Sequence, residues 1–147
     1  MKIPGLRMRE KVVLRVVARL FIPFILLFAL YVQFHGDYGP GGGFQAGVIF
    51  AAGFVLYGLI FGLPSLERVV PWWVLEAGVA GGLLLFAGVG VANLFQGGNY
   101  LDYRVMDAQD PMHGLHLGIL LVELGVGIAV AGAMLVIFYA FAGRRRD

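Results

Sequence analysis

The chain has 147 residues, of which 60% are hydrophobic and only 14% charged, with a formal net charge of +2 and a mean hydropathy of +0.86. A water-facing domain keeps about a quarter of its residues charged, so this exterior must meet lipid or other protein. Cysteine is absent, which excludes disulfides, thiolate-held metals and iron–sulfur clusters; no basic surface interleaved with aromatics points to nucleic acid.

A bilayer core of about 30 Å is crossed by roughly 20 apolar residues of helix. Four stretches qualify, at about 12–34, 44–63, 72–95 and 115–141. They predict an all-α integral membrane protein with four transmembrane helices in a single membrane domain over residues 1–147. The first run is longer than the apolar part of a signal peptide and has no small-residue cleavage pattern, so it reads as a retained span.

Orientation follows from the positive charges. Lys2, Arg7, Arg9, Lys11, Arg15 and Arg19 precede or open span one, Arg68 lies between spans two and three, and Arg144, Arg145 and Arg146 follow span four. Arg104 alone lies on the other side, where Asp37, Asp102, Asp107 and Asp110 collect. Both termini are therefore expected in the cytoplasm, with Trp72 and Trp73 in an aromatic belt at the inner interface.

Within span one, Arg15 and Arg19 share a helix face and are expected to snorkel towards headgroups. Pro23 is expected to kink the helix. Small-xxx-small pairs at Gly58/Gly62, Gly78/Gly82 and Gly114/Gly118 predict close helix contacts. Four helices offer little surface for so many contacts, so some of these faces are expected to meet partner subunits.

The connection after span one reads His35-Gly-Asp37-Tyr-Gly-Pro40-Gly41-Gly42-Gly43-Phe44. A tight turn between spans is the simple reading. Three consecutive glycines before an aromatic also suit non-helical backbone held close against something else. No Gly-Lys-Ser/Thr follows, so it is not a P-loop.

Glu123 lies in span four, about 12 Å from Leu115 along a helix, which predicts a position near the bilayer middle. An ionisable group there is read as a proton or cation site, or else as a protonated carboxyl bonded to a neighbouring helix. His116 falls on the same face about 10 Å further out, so the two can border one hydrated path. Glu76, near the inner end of span three, marks an inner portal, or snorkels, pairs with Arg68 or meets a partner helix. Spans three and four run oppositely, so Glu76 and Glu123 are not expected to form a dyad. No metal site, cofactor fingerprint or catalytic constellation is predicted.

Two segments carry a family resemblance. His35–Gly47 reads H-G-D-Y-G-P-G-G-G-F-Q-A-G, and His113–Gly127 reads H-G-L-H-L-G-I-L-L-V-E-L-G-V-G. Both are similar to stretches of the B subunit of multi-subunit Na+/H+ antiporters, the Mrp or Mnh family. Asp37 stands where that family commonly has His or Asn, and Ala46 where it usually has Gly. The resemblance implies a non-enzymatic subunit of a hetero-oligomeric antiporter in the cell (inner) membrane, without cofactors. It further implies other hydrophobic subunits and the lipid bilayer as partners, with Na+ and H+ as the transported ions. It makes His35, Asp37, Pro40, Gly41, Gly42, Gly43 and Phe44 the signature loop, and His116 and Glu123 the polar pair of span four. The alternatives are an antiporter-derived subunit of a membrane-bound hydrogenase or related redox complex, a structural scaffold, and a self-contained transporter. The last would need an internal repeat or a central polar cluster, and the sequence has neither.

Overall fold

A computed structural model describes residues 11–35, 42–97, 109 and 111–144, the last stretch with side chains from residue 117 onward. These residues form α1 (Val12–His35), α2 (Gly43–Phe61), α3 (Leu63–Val69), α4 (Trp72–Phe95) and α5 (Pro111–Gly143). Four helices are long and apolar enough to cross a membrane: α1, α2, α4 and the Leu117–Gly143 part of α5. The expected four-span, all-helical layout is therefore present, with boundaries close to those read from the sequence.

The helices stand in a row in the order α1, α2, α5, α4. Helix α2 runs parallel to α5, since Gly43 meets Glu123, Gly47 meets Gly127 and Gly58 meets Phe138. Helix α4 runs antiparallel to α5, with Gly82 on Gly125 and Gly132 on Leu75 and Val79. Helix α1 is antiparallel to α2: Leu26 packs at Gly53, and the Arg15 and Arg19 guanidiniums lie 6.0 and 5.3 Å from the Phe61 ring centre. The start of α1 and the end of α5 consequently lie at the same end of the row, here termed the terminal end. Arg15 and Arg19 combine their reach along the helix with a cation–π contact.

Only 17–33% of each span is buried within the chain. Phe21, Phe24, Phe28, Leu83, Leu84 and Phe95 are all exposed. So large an apolar surface requires lipid or other membrane proteins around it.

The first helix continues through Pro23. Proline there removes the N–H that the Arg19 carbonyl would accept, yet a helix among apolar neighbours tolerates one such loss. Gly62 ends α2 with φ +94°, so it forms a turn and not a helix-packing pair with Gly58. Its conformation suits glycine, and Pro64 then opens α3. Residues 64–71, expected as a loop, contain this short helix instead. It turns Leu66 fully inward and leaves Glu67 and Arg68 exposed.

Tyr139 fastens the terminal end. Its hydroxyl donates to the Val70 carbonyl at 2.6 Å, with the Leu66 carbonyl 3.5 Å away, and its ring packs 6.0 Å from Trp72. The bond satisfies a carbonyl left over where α3 stops. Tyr139→Phe leaves that carbonyl unpaired in an apolar setting, at a cost of about 1–2 kcal/mol. The expected result is a lower thermal midpoint of the purified complex with subunit composition unchanged, read by fluorescence-detected size exclusion after heating.

Candidate functional site

The site forms where α2 begins. Gly42 caps the helix with φ +151°, a conformation for glycine, and supplies no side-chain cap. Ala46 donates to the Gly42 carbonyl at 3.0 Å, and the N–H groups of the turn before it have no carbonyl within the helix to bond to. Glu123 Oε1 lies 3.7 Å from where a Gly42 Cβ would stand. The carboxylate of α5 thus sits beside the N-terminal turn of α2, the end of a helix where negative charge is favoured.

Close backbone packing makes this possible. A Cβ at Gly43 would overlap the Glu123 backbone carbonyl, and one at Gly47 would come 2.6 Å from the Gly127 carbonyl. Glycines at 43 and 47 on α2 thus seat against residues 123 and 127 on α5, one helical turn apart on both. Gln33 of α1 joins them: its Oε1 is 2.7 Å from where a Gly127 Cβ would stand. Gln33 is 5% exposed, and its Nε2 has no hydrogen-bond partner among the described residues. The half-buried Glu123 and the Gln33 amide therefore flank the same two glycines.

Glu123 is level with the first residue of α2, and it lies about 30 Å along α5 from Gly143. On the other side of α5 the crossing of Gly82 with Gly125 puts the same level near the middle of α4. Helix α5 extends about 18 Å beyond the start of α2, alongside the second half of α4.

The other predicted residues are distributed as follows. His35 is the last residue of α1, exposed, with its ring 4.8 Å from that of Tyr31. Phe44 is 60% exposed on the first turn of α2. Asp37, Pro40 and Gly41 lie outside the described residues. The backbone of His116 belongs to the extension of α5, about 10 Å beyond Glu123, and its side chain lies outside the described residues. Glu76 is exposed and accepts a hydrogen bond from the Trp72 indole N–H. Among the described residues no ion pair joins it to Arg68. Its neighbour Leu75 is level with Gly132, so Glu76 stands more than two turns of α5 away from Glu123. The two glutamates form no dyad, as expected.

A family model described as a domain related to the MnhB subunit of the Na+/H+ antiporter matches residues 13–136. The chain belongs to the MnhB family. It is 32% identical over 134 residues to a protein of Staphylococcus haemolyticus, covering 90% of this chain and 94% of that one. It is 30% identical over 136 residues to a protein of Staphylococcus epidermidis and 31% identical over 136 residues to one of Staphylococcus aureus, each match covering 91% of this chain and 96% of the other. All three carry the provisional name antiporter subunit mnhB2.

In this MnhB-family chain the two segments that carry the resemblance are neighbours in space, because Gly43 and Gly47 of one pack on Glu123 and Gly127 of the other. Sequence reasoning passed over two amides. One is Gln33, near the end of the apolar run of α1. Asn93 in α4 is fully buried with neither side-chain polar atom partnered among the described residues. A lone amide inside an apolar span was the available signal, since such groups are costly in lipid and face protein or water.

Proposed function

We propose that this MnhB-family chain is a non-enzymatic membrane subunit of a multi-subunit Na+/H+ antiporter, and that Glu123 borders its ion route. The observation that carries the reading is the Glu123 carboxylate beside the glycine-started first turn of α2, flanked by the buried Gln33 amide. A carboxylate held at a helix terminus among membrane spans, fixed by helix backbones, can exchange a proton or a monovalent cation. His116, one to two turns further out on α5, would continue the same route towards the surface. Glu76, tied to Trp72 on the exposed rim, is read as an interfacial residue off that route.

The terminal end faces the cytoplasm in this reading. Arg15, Arg19, Arg68 and Arg144 all cluster there, as the positive-inside rule requires. The host is the cell membrane, the partners are the other antiporter subunits, and the mostly uncovered spans suit a tile within such an assembly. The whole chain acts as one membrane domain.

The test is Glu123→Gln in the complete complex, with Na+-driven proton movement followed in everted membrane vesicles. The expected result is at least a tenfold loss of exchange rate with all subunits still co-purifying. Glu76→Gln should keep most of the rate. An assembled Glu123→Gln complex with wild-type exchange would remove Glu123 from the mechanism.

A further inference from the structure

The edge helix α1 carries two arginines close together on one face. Arg15 and Arg19 are about one turn apart, and their guanidiniums lie 6.0 and 5.3 Å from the centre of the same Phe61 ring. The two charges are therefore within about 11 Å of each other, close to one Debye length at moderate ionic strength. Like charges so placed on a helix repel. Among the described residues no carboxylate pairs with either arginine. Glu67 stands on α3, which packs on α2 and α5, and Glu76 is bonded to Trp72 on α4, at the far edge of the row.

Leu26 packs at Gly53, so in these antiparallel helices Ala18 is level with Phe61, where α2 ends. Arg19 is at about that level and Arg15 about one turn beyond it, so both stand where the spans meet the headgroups. Arg15 is half-buried and its Nε is packed inside, which fixes the stem, whereas Arg19 is exposed. Towards mid-span the same helix exposes Val16, Leu20 and Phe24. A matching occupant therefore has an anionic group with several acceptor oxygens at one end and an apolar tail beyond it.

We propose that Arg15 and Arg19 together bind the phosphate of one anionic phospholipid in the leaflet at the terminal end, with an acyl chain lying along Val16, Leu20 and Phe24. Guanidiniums recognise phosphate oxygens through charge-assisted hydrogen bonds, and a phosphate set against both cations relieves their mutual repulsion. A soluble phosphate offers the same oxygens but leaves the apolar face of α1 uncovered. A zwitterionic lipid brings a further cation to a site that already holds two, so the charge balance favours an anionic one. The site lies at the opposite end of α1 from Gln33 and does not depend on the Glu123 reading.

The complete complex, purified in mild detergent and washed free of loose lipid, is re-supplied with phosphatidylglycerol or phosphatidylcholine carrying a diazirine near the glycerol end of one chain. After illumination, labelled residues are located by peptide mass spectrometry, and the label at Val16 and Leu20 is divided by that at Trp73, exposed at the same end on α4. The expected ratio is at least fivefold higher with phosphatidylglycerol than with phosphatidylcholine, and excess inorganic phosphate leaves it in place. The double variant Arg15→Gln/Arg19→Gln should lose that preference. Arg68→Gln/Arg144→Gln, which removes the same net charge from the same end, should keep most of it. Equal ratios for the two lipids in the wild-type complex overturn the proposal without any variant. So does a preference that survives Arg15→Gln/Arg19→Gln, one lost equally in both double variants, which would trace it to diffuse positive charge, or one displaced by inorganic phosphate.

Discussion

Replacing Gly43 with alanine is expected to remove the subunit from the assembled complex almost completely. The added methyl would overlap the backbone carbonyl of Glu123, with the carbonyl carbon and Cα of that residue at 2.8 and 2.9 Å. Backbone cannot rotate away as a side-chain tip can, so α2 and α5 must separate along their whole contact. That separation also opens Gly47 from Gly127, and displaces the Gln33 amide that rests on Gly127. Overpacking a well-fitted core costs about 1–3 kcal/mol even where side chains yield, and here nothing yields. Gly53→Ala supplies the contrast: its methyl meets the Leu26 side-chain tip at 2.9 Å, and that tip can turn aside. The measurement is recovery of tagged subunit and its partners in the same size-exclusion peak. Wild-type recovery for Gly43→Ala would show that α2 and α5 do not pack through these glycines.

The four spans were legible because length and apolarity alone specify a crossing helix, and neither depends on what packs against it. Helix α3 was not legible, because seven residues with one inward leucine carry no periodic pattern. The two halves of the site were each conspicuous in the sequence: three glycines after a proline, and one glutamate inside an apolar run. Their meeting was not, because it depends on α2 and α5 lying parallel at a register of 80 residues. Gly43 illustrates the difficulty. As a letter it belongs to a glycine-rich turn, whereas in space it is the first helical residue and the closest approach of α2 to α5. Tyr139 was hidden for another reason, since an aromatic within an apolar run reads as packing until its hydroxyl finds the Val70 carbonyl.

The register also explains why the paired glycines divide into two kinds. Gly82 meets the Gly125 carbonyl and the Ala129 backbone, and Gly125 meets the Gly82 carbonyl in return, so this crossing is closed within the chain. Gly81, its direct neighbour, and Gly88 have nothing within 4 Å of an added Cβ. The contact expected of the Gly78/Gly82 pair thus comes mainly from Gly82. The face that bears Gly81 and Gly88 is turned to whatever surrounds the chain.

Gly82→Ala and Gly81→Ala should therefore behave oppositely, although they are adjacent and chemically identical. At position 82 the methyl would stand 2.5 Å from the Gly125 carbonyl oxygen and 2.7 Å from the Ala129 nitrogen. Helix α4 must then move away from α5, and it touches no other helix along its length as extensively. The expected consequence is a loss of about 3 kcal/mol or more, at the upper end of overpacking effects, read as a complex that assembles poorly and melts early. At position 81 the methyl enters open space and replaces the least helix-favouring non-proline residue with the most favourable one, a gain of up to about 1 kcal/mol in helix stability. Thermal midpoints of the two purified complexes, measured side by side in one detergent, decide the matter. A midpoint for Gly82→Ala equal to wild type would mean that α4 and α5 meet through other residues. A midpoint for Gly81→Ala as low as that expected of Gly82→Ala would instead place a tightly packed partner helix on the open face of α4.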